Sequence, residues 1–209
     1  MFSIILKHAP KYLTGSVIAS GTALVMTKYY TWVFDPADFG ILALYLVMFK
    51  YVTSLASLNL DSGSTRFYFD YRESRRDEYL STMFWFITFI SISVLFLGLI
   101  FMKPISNWIS PNSEIVYVIT LVTGIGAVYV SFLIRILYNE HKSTSVLKHT
   151  IFQTFVNHSS SVILISILNL GIFGRMSGQG LGYILNIFTL IKEFSKESLF
   201  KIKMTFNKA

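Results

Sequence analysis

LSTMFWFITFISISVLFLGLIFM, residues 80–102, runs for 23 residues without a charged side chain or a proline. A helix of that length extends about 35 Å at 1.5 Å per residue, enough to cross the ~30 Å hydrocarbon core of a bilayer. Working outward, comparable apolar stretches occupy 12–34, 41–60, 115–138 and 151–173. A weaker sixth covers 176–191, shorter and interrupted near its start by Gly178, Gly180 and Gly182. The expectation is an all-α polytopic membrane bundle of about six transmembrane helices. Pro10, Pro36, Pro104 and Pro111 all fall outside these stretches, where a missing N–H harms no spanning helix.

Composition points the same way. The 209 residues are 53% hydrophobic, 16% aromatic and only 14% charged, with a mean hydropathy of +0.57. A soluble domain of this length has no use for so much apolar surface. With no cysteines the chain has no disulfide, no thiolate metal site and no thiol redox chemistry. The start is not expected to be a cleavable signal, because Lys7, His8, Pro10 and Lys11 break it and a full-length span follows.

The basic residues alternate between connections. Lys7, Lys11, Arg66, Arg72, Arg75, Arg76, Lys142, Lys148, Lys192, Lys196, Lys201, Lys203 and Lys208 fall on one side, whereas only Lys103 and Arg175 fall on the other. Retained basic segments mark the cytoplasm. Both termini are therefore expected there, with external loops around 35–40, 103–114 and 174–177. The parse is a cytoplasmic interfacial lead-in at 1–11, a six-helix transmembrane lobe at 12–191 and a basic cytoplasmic tail at 192–209. The net charge of +7 reads as topology plus attraction to anionic membrane lipids. It does not read as a nucleic-acid surface, since no exposed aromatics interleave with the basic residues.

Gly15, Ala19 and Ala23 recur at intervals of four in the first stretch, with Ser16 and Ser20 beside them. Gly174, Gly178 and Gly182 repeat the spacing at the sixth. Both stripes read as surfaces where a neighbouring helix approaches closely. Gly124 and Gly126 read as a bend or thinning of the fourth.

Three cations fall inside spans, and depth separates them. Arg135 sits at the cytoplasmic boundary and can snorkel. Lys28 lies about 9 Å from the outer end of its span, beside Tyr29, Tyr30 and Trp32, which resemble an interfacial aromatic belt. Lys50 lies about 14 Å along from Ile41, near the midplane, and no proposed span contains a carboxylate to pair with it. An aqueous cavity or an anionic ligand would stabilise it there. The competing reading is a snorkelling or deprotonated lysine softened by Thr53, Ser54 and Ser57. His158, among Asn157 and Ser159 to Ser161, reads as a hydrogen-bonded interhelical group, with a proton carrier as the alternative. The mixed charges between 61 and 78 read as a solvated helical extension held by local ion pairs. Sequence motifs for catalysis or metal binding are absent: there is no HExxH, GxxxxGK[ST], paired acidic metal motif or nucleophile elbow. The chain is not expected to be an enzyme.

One combination of these features is more specific. A small-residue first span leads through aromatics into DPADFG at 35–40, then a second span, then STRFYFDYRE at 64–73. This resembles the amino-terminal half of the polysaccharide biosynthesis proteins, the O-antigen and capsule flippases of the multidrug/oligosaccharidyl-lipid/polysaccharide superfamily. Pro36-Ala37-Asp38-Phe39-Gly40 matches the family's loop pattern, and Arg66-Phe67-Tyr68 its Arg followed by an aromatic pair. The resemblance implies one lobe of a two-lobe transporter that flips undecaprenyl-diphosphate-linked oligosaccharide across the bacterial inner membrane. It implies no cofactor. Coupling to a proton or sodium gradient is a family-level expectation that no residue here locates. Lys50 is the candidate for the diphosphate and Lys28 a second, while Pro36, Asp38, Phe39, Gly40 and Arg66 are structural motif residues. Because such transporters have two comparable lobes, the expectation is a truncated or half transporter completed by a second lobe or a second copy. A six-span channel or a small-solute or drug transporter is the alternative; an intramembrane enzyme on lipid-linked sugars is a third reading.

Overall fold

A computed structural model describes the backbone of residues 2–69 and 73–197. Among the described residues there are eight helices and no strand: α1 (Phe2–Val33), α2 (Pro36–Ser57), α3 (Leu60–Phe67), α4 (Glu73–Ile100), α5 (Met102–Ile109), α6 (Glu114–Asn139), α7 (Ser143–Ser166) and α8 (Gly171–Glu197). Residues 198–209, most of the expected tail, lie outside the described residues, as does the side chain of Arg66.

The chain is an all-helical membrane protein. Three helices are long and apolar enough by composition to cross a membrane: α2, the Arg76–Ile100 part of α4, and α6. The sequence reading expected six. Helices α1, α7 and α8 have the length, at 32, 24 and 27 residues, but fall short in apolarity. The cause lies in their packing. Helices α7 and α8 share the most extensive interface in the molecule, and Ser161, His149, Arg175, Gln179 and Asn186 are buried in these two helices. Outward faces carry the apolar load instead, with Val17, Leu24 and Val25 of α1 and Phe89, Ile92 and Phe96 of α4 all exposed. Polar groups inside and large apolar groups outside is the arrangement a lipid solvent selects.

Several boundaries differ from the sequence reading. Helix α1 runs through Pro10, so the lead-in and the first span form one continuous helix. Helix α7 starts at Ser143 and ends at Ser166, well before 173. The chain breaks at 167–170 instead of 174–177, and Arg175 therefore lies inside α8. Asn169 (φ 52°) and Gly171 (φ 51°) adopt the left-handed region there, which Asn and Gly tolerate and which ends a helix. The segment expected as the external loop 103–114 holds α5, with Pro104 in its first turn, where no N–H is missed.

Helix α6 is the axis, in contact with α2, α3, α4, α5, α7 and α8. Two apolar clusters sit along it. One joins Tyr68, Leu80, Phe132, Ile136, Val146 and Leu190, near the α2–α3 and α6–α7 turns. The other joins Tyr30, Leu42, Tyr45, Tyr117, Ile165 and Met176, near the α1–α2 and α7–α8 turns. Short connections thus alternate between two ends of the bundle. Helix α1 packs along α7 rather than along α2, its neighbour in sequence. Lys11 Nζ donates to Thr144 Oγ1 at 2.6 Å, and Tyr29 Oη pairs with Ser166 Oγ at 2.6 Å, so α1 is tied to α7 near both ends.

Candidate functional site

Because α1 leans on α7 and away from α2, a groove opens between α1 and α2, floored by α6, α7 and α8. Two cavities lie along it. The larger, about 820 Å³, is lined by Ala19, Thr53, Arg135, Gln153 and Tyr183 among others. The smaller, about 390 Å³, is lined by Met26, Tyr30, Leu46, Lys50, His158 and Arg175 among others. The faces are continuous. On α1 the lining positions are 19, 23, 26, 27 and 30, and on α2 they are 39, 42, 43, 46, 49, 50 and 53, a spacing of three and four that keeps one helical face toward the groove.

Small residues make this room. Gly15 of the first stripe meets Leu147 and Thr150 of α7 at 3.3 and 3.7 Å from a Cβ position, as expected of a contact surface. Ala19 and Ala23 of the same stripe line the two cavities instead. The second stripe packs wholly on α7: Gly174 faces Leu164, Gly178 faces Ser161 and Gly182 faces Asn157. Gly124 thins α6 and admits Val52 of α2, whose Cγ1 would lie 2.6 Å from an added Cβ.

Lys50 lines the smaller cavity on α2, and among the described residues no hydrogen bond or ion pair engages its ammonium. Lys28 is exposed on α1 and is absent from the lining of both cavities. Two residues from Met26 and from Tyr30, it stands about 200° around the helix from either. The structure does not bring the two lysines together.

Arg175 joins Lys50 in their place. Its side chain is 6% exposed. One terminal nitrogen donates to Asn157 Oδ1 at 3.0 Å and to Ser161 Oγ at 3.4 Å, and the guanidinium lies 5.2 Å from the centre of the Tyr30 ring, a cation–π distance. Its Nε is buried without a partner. His158 completes the set. The hydrogen-bonded role expected for it is not met at Nδ1, which is also buried without a partner. The cavity therefore gathers a lysine, an arginine and an imidazole, and no carboxylate is among its lining residues. Such a site stabilises an anion. The sequence reading places Arg175 in the external loop 174–177, and nothing in its spacing marks it as a cavity residue; it enters the site because α8 begins at Gly171.

The loop motif is a helix start. Pro36 is the first residue of α2 and Asp38 an acid in its first turn, where the helix dipole favours negative charge. Phe39 lines the smaller cavity, and Gly40 faces open space. Tyr68, from the aromatic pair after Arg66, is buried and donates a hydrogen bond to Glu140 at the end of α6. The Arg76 guanidinium lies 4.4 Å from the Tyr68 ring centre and 3.9 Å from Glu140. Burial first, and then the Glu140 carboxylate, push the Tyr68 hydroxyl well above its ordinary value, so it remains a donor.

A family profile described as polysaccharide biosynthesis protein matches residues 5–207. Neither a curated protein nor a solved structure matches the chain significantly.

Proposed function

Because the chain belongs to the polysaccharide biosynthesis protein family, we propose that it forms one lobe of a flippase that moves undecaprenyl-diphosphate-linked oligosaccharide across the bacterial inner membrane. In this reading α1, α2, α4, α6, α7 and α8 all span, since the three more polar helices measure about 36–48 Å at 1.5 Å per residue. Helix α5 lies along the outer interface, with Trp108 78% exposed as an interfacial anchor.

The observation that carries the proposal is the cavity holding Lys50, Arg175 and His158 with no acid in its lining. A diphosphate crossing hydrocarbon needs its charge met in place, and a preformed pair of cations meets it without carrying counterions along. Met26, Leu42, Ala43 and Leu46 on the same walls suit the first isoprene units. The side of the groove away from α7 is completed, in this reading, by a second lobe or a second copy.

The test is binding of a short-chain polyprenyl diphosphate to the chain in lipid nanodiscs. Lys50→Ala should weaken binding about tenfold or more, the value of one charge-assisted hydrogen bond, and Lys50→Arg should weaken it less. Equal affinity for the diphosphate and for the uncharged polyprenol would overturn the assignment.

A further inference from the structure

A buried guanidinium is ordinarily met by a carboxylate. Around Arg175 the groups in contact are all neutral. Both hydrogen bonds leave from Nη1, to Asn157 Oδ1 at 3.0 Å and to Ser161 Oγ at 3.4 Å, and the Tyr30 ring centre lies 5.2 Å from the guanidinium carbon. A guanidinium nitrogen can only donate, so Asn157 must present its oxygen and its amide has one orientation. Ser161 Oγ gives its own proton to the backbone carbonyl of Asn157 at 2.7 Å, which leaves its lone pairs for Nη1. The arginine is thus held in place with its charge unspent.

The hold on Nη1 is backed by main chain. At Gly182 of α8 an added Cβ would lie 2.9 Å from Asn157 Cβ and 3.1 Å from its Cα, and at Gly178 it would lie 2.7 Å from Ser161 Cα. Residues 175, 178 and 182 share one face of α8. Glycine at the last two lets α7 come close enough for Asn157 and Ser161 to reach a side chain leaving from the first.

One edge of the guanidinium remains. Nε–H and one N–H of Nη2 point the same way, as a parallel pair on the side away from Nη1. Nε is buried without a partner, and Nη2 has none among the described residues. Arg175 lines the smaller cavity, whereas Asn157 and Ser161 line neither cavity, so Asn157 can act on a ligand there only through Arg175. Resting on the diphosphate reading above, we propose that Asn157 is a positioning residue: it fixes Arg175 by Nη1 through a neutral acceptor, and the Nε–Nη2 edge grips two oxygens of one phosphate. Two parallel charge-assisted bonds from a planar fork give direction as well as attraction. A carboxylate at position 157 would hold the same nitrogen in the same place but would take up the charge the ligand needs.

The test uses the whole chain in nanodiscs and two ligands, a short-chain polyprenyl diphosphate and the matching uncharged polyprenol. Asn157→Asp, of the same shape, should weaken diphosphate binding about tenfold or more, with the melting temperature unchanged or raised by the new ion pair. Asn157→Leu should weaken diphosphate binding to a similar degree and lower the melting temperature, since Nη1 loses its acceptor. Neither variant should move polyprenol affinity by more than about twofold. Diphosphate affinity unchanged in Asn157→Asp would overturn the proposal, as would a parallel loss of both ligands in either variant, which would assign Asn157 to packing alone. Wild-type chain that does not prefer the diphosphate to the polyprenol would overturn the diphosphate reading itself, and this inference with it.

Discussion

A guanidinium buried to 6% exposure with no carboxylate beside it is costly, because each desolvated charge needs compensation. Arg175 receives part of that from Asn157, Ser161 and the Tyr30 face, and its free Nε leaves capacity for a ligand. Arg175→Lys keeps the charge but not the planar fork that holds Asn157 while reaching an anion. It should therefore weaken diphosphate binding about tenfold with a small change in melting temperature, whereas Arg175→Met should lose both binding and stability. Unchanged binding in the lysine variant would assign Arg175 to packing alone. Tyr68 gives an independent check at the other end: Tyr68→Phe removes a bond to a charged acceptor and should cost about 1.5–3 kcal/mol in chemical denaturation. Lys50 could be picked out from the sequence because depth along a helix is simple arithmetic. Arg175 could not, because its place depended on where α7 ends, and His158 was visible as a polar group in a span without any sign of its missing partner.

Helix pairing in this bundle rests on glycines more than on apolar area, since lipid offers no hydrophobic penalty to separation. At Gly178 an added Cβ would lie 2.5 Å from the Ser161 backbone nitrogen and 2.7 Å from its Cα, atoms that cannot rotate away. Gly178→Ala should prise α8 from α7 and lower the melting temperature sharply. Gly21→Ala, which meets nothing within 4 Å, should be neutral or stabilising by up to about 1 kcal/mol through helix propensity alone. Equal effects of the two, read by thermal unfolding in nanodiscs, would remove the close-packing account. The stripe itself could be read from spacing, as could α2, α4 and α6, which carry the most apolar windows among the described helices. The ends of α7 and α8 were not legible. Hydropathy continues unbroken through ILNLGIF at 167–173, and only the positive φ at Asn169 and Gly171 separates the helices. Helices α3 and α5, each of 8 residues, are too short for apolar periodicity to distinguish them from loop.

At the scale of the whole molecule the decisive matter is which surfaces face which side of the membrane. The turns fall at two ends of the bundle, and among the described residues Lys11, Arg76 and Lys142 lie at the end that holds the α2–α3 and α6–α7 connections. If that end is cytoplasmic, α4 must carry the chain from the turn at Phe69 out to α5. Single cysteines report this cleanly, because the chain has none of its own. Phe69 is 61% exposed in the turn after α3, and Asn107 is exposed on α5, so both accept a label without disturbing a core. A membrane-impermeant maleimide applied to intact cells should modify Asn107→Cys and leave Phe69→Cys untouched until the membrane is opened. The reverse pattern would invert the orientation while preserving the fold and would put the Lys50 and Arg175 cavity at the cytoplasmic end. Labelling of both from one side would mean that α4, the most apolar stretch of the chain, does not cross. The six-span lobe and the flippase reading built on it would then fail together.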